Sequence, residues 1–230
     1  MIQPTKQPLA AVLFDLDGTL VATGPEIADA INDTLLALGL EKIDDNTIAN
    51  WVGHGSAELL KSSLGHALQM DREATLAWPR HGEAATLLRG FYEARTGTRS
   101  HLYDGVVETL QKMKSAGIKL GVCTNKDTVY ALKVLRVNDL EGYFDVITCG
   151  DTYKTKKPDP SGLLKSIDTL GVNLDTTLFV GDSSVDVATA RNAGVPVWAF
   201  DFGYNMGADI KESHPDRLCS DFADLQALIG

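Results

Sequence analysis

The stretch AVLFDLDGTLV, residues 11–21, decides how this chain is read. Residues 9–14, LAAVLF, form an uninterrupted apolar run, the signature of a strand buried on both faces. Two acids, Asp15 and Asp17, follow it directly, and Gly18 lets the chain turn away. In an open parallel sheet ligands sit outside the carboxyl ends of the strands, so a carboxylate pair at that place is a candidate site. An isolated pair also has plainer explanations. Asp is common in turns because its side chain bonds nearby backbone N–H groups. A calcium loop would use Glu26 as its twelfth residue, but its sixth is Leu20 where glycine is required, and a strand precedes it. The rest of the chain has to decide.

From residue 101 onward helices and strands alternate. In DGVVETLQKMKSAG, residues 104–117, Val106, Val107, Leu110 and Met113 share a helix face and Gly117 closes the helix. IKLGVC at 118–123, FDVITCG at 144–150, TTLFVG at 176–181 and VPVWAF at 195–200 read as strands, separated by helices near 128–137, 159–170 and 184–193. Apolar strands alternating with helices predict an α/β fold, a Rossmann-like parallel sheet core covered by helices on both faces.

The long gap between the first strand and the second needs structure of its own. Ile27, Ile31, Leu35 and Leu38 recur at helical spacing after Pro25, and helical patterning continues at 56–64 and 72–93 with no convincing strand. Residues 22–97 are therefore expected to be an inserted all-helical cap, and 1–21 with 98–230 the core domain.

Composition narrows the function. A chain of 230 residues can bury roughly 70–75% of its unfolded surface without disulfides or structural metals. Twenty-one Lys and Arg against 31 Asp and Glu give a net charge of −10, which repels a phosphate backbone and argues against nucleic acid as a partner. Cys123, Cys149 and Cys219 are odd in number, lack CxxC spacing and read as reduced thiols, which points to the cytoplasm. The six-residue apolar run near the start is too short for a membrane span, so no membrane partner is expected.

Collected by strand end, the polar residues are Asp15 and Asp17, then Thr124 and Asn125, then Asp182, with KTKKPDP placing Lys157 before a proline. Ser183 and Asp186 also fit a helix capping box. Carboxylates converging in one cleft repel, by about 4 kcal/mol per pair at 4 Å and an effective dielectric of 20, so the cluster implies a bound cation or raised pKa values. Oxygen ligands without His or Cys select a hard ion, Mg²⁺ first. A hydroxyl, helix N-terminal N–H groups near residue 127 and a lysine suit the outer oxygens of a phosphoryl group. One Asp can then attack phosphorus, forming an aspartyl phosphate, and a second can move the proton. Which of the pair attacks is left open by this chemistry.

FDLDGTL, VCTNK, KKPDP and VGDSSVD, in this order and spacing, resemble the four motifs of the haloacid dehalogenase-like phosphatase superfamily, over nearly the whole chain. The resemblance implies Asp15 as nucleophile and Asp17 as acid/base, Thr124, Asn125 and Lys157 as phosphate binders, and Asp15, Asp17 and Asp182 around Mg²⁺, with Asp186 at the metal or behind it. Within the superfamily, NWVGHG at 50–55 and FGYNMG at 202–207 are most similar to the phosphoglycolate phosphatase group. That likeness implies hydrolysis of a small phosphomonoester, first of all 2-phosphoglycolate, with an amino-sugar or sugar phosphate as the alternative, by a monomer or weak homodimer. Asp17 disfavours the dehalogenases, which lack that second acid. A response-regulator-like phospho-acceptor switch is disfavoured because such proteins use an Asp from a later strand and carry no comparable insertion. Recognition of the organic part falls to the cap, with Gly53, His54 and Gly55 the candidates there and Arg95 and Arg99 further ones. Gly24 and Gly97, in the linkers near 20–24 and 96–102, are the expected hinge positions.

Overall fold

The structure, a computed structural model, describes residues 8–229; residues 1–7 of the expected core segment lie outside it. Strand β1 is Ala11–Phe14, and its alternate residues feed two cores. Val12 and Phe14 face one apolar cluster, Ala11 and Leu13 the other, and all four are fully buried. β1 lies in the middle of a six-stranded parallel sheet. β4 (Lys119–Cys123) and β5 (Val146–Thr148) lie on one side of it, and β6 (Thr177–Gly181), β7 (Val197–Phe200) and β8 (Arg217–Cys219) on the other. The register pairs Phe14 with Val122 of β4 and with Val180 of β6, so the strand ends that follow these residues fall at one edge.

Helices cover both faces. α6 (Val106–Ser115), α7 (Thr128–Val137) and α10 (Ala223–Gln226) pack on the Val12/Phe14 face through Val106, Leu110, Met113, Val134, Leu135 and Leu225. α8 (Ser161–Leu170) and α9 (Ser184–Ala193) pack on the other through Leu163, Ile167, Leu170, Val187 and Ala190. The expected α/β core with helices on both faces is therefore present. β8, absent from the sequence reading, is a three-residue edge strand, too short to show a periodicity.

Between β1 and β4, five helices form a third apolar cluster: α1 (Gly24–Ala37), α2 (Asp45–Ala49), α3 (Ser56–Leu68), α4 (Arg72–Ala77) and α5 (His81–Arg95). Ile27, Ile31, Leu35 and Leu38 of the α1 stripe are all buried in it. The patterned stretch at 72–93 is two helices and not one. Trp78 precedes Pro79 and takes an extended backbone with ψ 127°, as the proline ring demands of its neighbour, so the helix stops and restarts. The connections to the core contain a further surprise: β2 (Val21–Ala22) and β3 (His101–Leu102) pair antiparallel. Glu26, buried at the first turn of α1, accepts hydrogen bonds from the backbone N–H groups of Gly97 at 2.8 Å and Ser100 at 3.1 Å. Glu26 therefore clasps the returning linker and does not close a cation loop with Asp15 and Asp17.

Among the described residues, no helix is long and apolar enough to cross a membrane. Cys123, Cys149 and Cys219 are buried unpaired thiols, and burial pushes Cys123 up to about 12, which leaves it unreactive.

Candidate active site

Asp15 leaves β1 with its backbone N–H donating to the Val180 carbonyl at 2.9 Å, which holds it against β6 and beside Asp182. Gly18 turns the chain at φ +86°. A Cβ there would stand 2.3 Å from Asp182 Oδ2, so only glycine fits this close approach. Asp182 follows β6; its Oδ1 accepts from the Thr19 hydroxyl at 2.5 Å and its Oδ2 from the Tyr204 N–H at 2.6 Å. Asp186 sits on the first turn of α9 and completes the expected capping box with Ser183. Its other oxygen accepts from Lys157 at 2.6 Å.

These elements bring three buried carboxylates together. One oxygen each of Asp15, Asp182 and Asp186 lies within 4.8 Å of the other two. Lys157, its side chain 4% exposed, stands between Asp15 and Asp186. Its Nζ is 2.8 Å from Asp15 Oδ1, but the approach does not meet hydrogen-bond geometry, and that oxygen has no hydrogen-bond partner. The contact is an ion pair and not a hydrogen bond. Burial pushes Asp15 up to about 6, partly offset by Lys157 and reinforced by Asp186. Asp182 is also raised, by burial and then by its two acidic neighbours. Burial works against the charge of Lys157, yet Asp15 and Asp186 outweigh it and hold its pKa above the ordinary lysine value.

A hard divalent cation fits this group on its own chemistry. The donors are carboxylate oxygens alone, one of them unpartnered, and their mutual repulsion is relieved by positive charge. The Asp17 carboxylate stands outside that trio. It accepts from the Thr23 hydroxyl at 2.7 Å and from Lys126 Nζ at 3.0 and 3.2 Å.

After β4 comes Thr124, buried, its hydroxyl accepting from the Lys126 N–H at 3.2 Å. The Asn125 side chain is fully engaged elsewhere: it donates to the carbonyls of Gly53 at 2.9 Å and Lys157 at 3.0 Å, and accepts from the Lys157 N–H at 2.8 Å. Its amide thus braces the lysine loop and ties it to the helical insertion. α7 begins at Thr128, whose N–H donates to Asp151.

Above the strand ends lies a cleft of about 420 Å³, bounded below by Asp15, Asp17 and Thr124 and above by Gly53, Gly55 and Tyr92. The helices are closed onto the core. The Ser56 hydroxyl donates to Asp127 at 2.8 Å, and Lys126 Nζ donates to the Tyr92 hydroxyl at 3.0 Å. Gly53 and Gly55 line the cleft; His54 does not. It is exposed, with Nε2 2.9 Å from Met206 Sδ, because the positive φ of the glycines on either side turns it outward. Arg95 and Arg99 pair with Asp33 at 2.7 Å and Asp29 at 2.9 Å on α1, away from the cleft. Lys126 and Tyr92 are the site residues the motif reading passed over. VCTNK contained the lysine, but nothing in its spacing shows that it is buried against Asp17.

Residues 12–200 match the model of a family described as haloacid dehalogenase-like hydrolase. The chain belongs to this family. A phosphoglycolate phosphatase from Photorhabdus laumondii is 36% identical over 222 residues, covering 96% of this chain and 93% of its own. A phosphoglycolate phosphatase from Nitrosococcus oceani is 34% identical, covering 98% of each chain. The same family architecture appears in a crystal structure from Haemophilus somnus described as a predicted phosphoglycolate phosphatase. It superposes with a TM-score of 0.90 at 29% identity, covering 98% of this chain and all of that one.

Proposed function

We propose that the chain hydrolyses 2-phosphoglycolate to glycolate and phosphate through an aspartyl phosphate on Asp15, with residues 22–97 acting as the cap over a core of 1–21 and 98–230. The observation that carries this reading is the buried Asp15, one oxygen of which makes no hydrogen bond and is ion-paired to Lys157, at the floor of a small cleft. The names of the full-length relatives support the substrate.

In the first step Asp15 attacks phosphorus, the P–O ester bond breaks, and Asp17 gives its proton to the departing glycolate oxygen. Lys157 neutralises charge between nucleophile and phosphoryl oxygens, and the Thr124 hydroxyl with loop N–H groups receives the remaining oxygens. In the second step Asp17 takes a proton from water, which attacks the same phosphorus and returns Asp15 as a carboxylate. Asp15 and Asp182 would hold Mg²⁺ with Asp186 behind them; the ion supplies positive charge that offsets repulsion between the carboxylate and the phosphate dianion. The closed helices keep bulk water out during transfer and must open to exchange glycolate for substrate.

A phosphate-release screen over small phosphomonoesters tests the substrate. 2-Phosphoglycolate is expected to give the highest kcat/KM; a sugar phosphate that exceeds it tenfold, about 1.4 kcal/mol in transition-state binding, would overturn the assignment.

Metal binding has its own signature. Because Asp15 is raised to about 6 and Asp182 is raised as well, the folded state holds these protons more tightly than the unfolded one. The Asp15 contribution to stability is therefore present at low pH and is lost as pH rises through about 6, and that of Asp182 is lost as pH rises through its own raised value, unless a cation replaces the protons. At a concentration about 100-fold above its Kd, Mg²⁺ should stabilise the protein by about 2.7 kcal/mol at pH 7.5, a rise in Tm of roughly 5–10 °C. At pH 5 the rise should shrink, since protons compete for the same oxygens. Equal shifts at both pH values, or none, would contradict a site built on these carboxylates.

A further inference from the structure

Lys126 is the one cationic side chain among the described residues that line the cleft. Its side chain is 2% exposed, and its ammonium is shared between both oxygens of Asp17 and the Tyr92 hydroxyl of α5. An ammonium has three N–H donors. The two contacts to one carboxylate, at 3.0 and 3.2 Å, can be served by a single N–H, and Tyr92 takes a second. These contacts use two of the three donors; Lys126 lines the cleft, and Glu26 is the further carboxylate whose charge it feels. Burying a lysine is expensive, and a methionine of similar length would fill the same space, so packing alone does not account for the charge.

We propose that Lys126 is the specificity residue for the substrate's carboxylate and selects phosphoesters that carry a carboxylate on the carbon bearing the ester oxygen. The inference rests on the reading of Asp17 as the residue that protonates the leaving oxygen. To do so Asp17 must come within about 2.6–3.2 Å of that oxygen. In a 2-phospho acid the carboxyl carbon is only two bonds from the same oxygen, so the carboxylate falls beside Asp17. Lys126 Nζ already stands there, 3.0 Å from Asp17 Oδ1. The other charged groups on the cleft wall, Asp15 and Asp127, would repel a carboxylate. Arg95 and Arg99 are tied to α1, and Lys156 is paired with Asp127 at 2.8 Å. A phosphoester lacking the carboxylate leaves the third donor of Lys126 buried and unpaired, which is how a polar site rejects an analogue.

The test compares kcat/KM for 2-phosphoglycolate and for ethyl phosphate, which lacks the carboxylate, in the wild type and in Lys126→Met, Lys126→Gln and Lys126→Arg, each checked by thermal melting. Disturbing Asp17 alone would lower both substrates together, so the readout is their ratio. The wild-type preference for 2-phosphoglycolate should fall by about 100-fold or more in Lys126→Met and Lys126→Gln, with the substrate-specific part of the loss in KM. Lys126→Arg, which keeps the charge, should stay within about tenfold of the wild-type ratio. A wild-type preference that persists in the Met or Gln variant would overturn this role for Lys126 and leave the phosphatase reading standing. A wild type that hydrolyses both esters equally would overturn the substrate reading, and this inference with it.

Discussion

Asp15→Asn is expected to abolish phosphate release, lowering kcat by about 10⁴-fold or more, while the protein melts no lower than the wild type. The two halves of this result have one cause. Asp15 is 6% exposed, close to Asp182 and Asp186, and carries an oxygen without a hydrogen-bond partner. Burial and the neighbouring acids push its pKa up to about 6, so at pH 7.5 its charge works against folding. Asparagine is nearly isosteric, cannot form an acyl phosphate, and removes one repelling charge. The proposed nucleophile would thus be a residue the fold is more stable without, a usual condition of active sites. A Tm in this variant more than a few degrees below the wild type would show that the Lys157 ion pair outweighs the cost of burying the Asp15 charge.

The second large effect runs the other way. Lys157→Met should lose both activity and stability, because the ammonium is the partner shared by two buried carboxylates, at 2.8 Å from Asp15 and 2.6 Å from Asp186. Removing one member of a buried ion cluster leaves the others uncompensated and costs about 3–5 kcal/mol. For a chain of this size that is a fall in Tm of roughly 10 °C or more. The loss should be smaller at pH 5 than at pH 7.5, since protonation of the raised Asp15 relieves part of the unpaired charge. Thermal melts of Asp15→Asn, Lys157→Met and the double variant decide the point: the asparagine change should recover part of the lysine loss. An additive double variant would mean that the two side chains do not act as a pair.

How much of this was legible in the sequence varied with the range of the interaction. The buried strand before Asp15 is readable because four consecutive apolar residues can only be covered on both faces, and the register of β1 with β4 and β6 places the later motifs beside it. The α1 stripe was equally plain. The β2–β3 pair and β8 were not, because strands of two or three residues carry no pattern and exist through what they pair with. The break at Pro79 was present in the letters but hidden by apolar residues that continue at helical spacing on both sides. Side-chain purpose was harder still. Asn125 stands in a motif that suggests phosphate, yet its amide is engaged with Gly53 and Lys157. Lys126, one position on, is the charge that reaches Asp17. Both neighbours line the cleft, and only the packing of α5 above them shows that Lys126 is held between Asp17 and Tyr92. Asp186 left two readings open, helix cap and metal site; the structure shows the cap on one oxygen and gives the other to Lys157, a contact neither reading named.

The central claim is that the phosphoryl group passes through Asp15. It is tested most directly by acid-quenching the enzyme during turnover of 2-phosphoglycolate carrying a labelled phosphoryl group, and mapping the label on the protein, in the wild type and in Asp17→Asn, where attack by water is slowed. The account predicts a hydroxylamine-sensitive label on Asp15 that is chased by unlabelled substrate in the wild type, forms and turns over more slowly in Asp17→Asn, and is absent from Asp15→Asn. Release of phosphate without any labelled Asp15 in either protein, or a wild-type label that forms and never turns over, would contradict it.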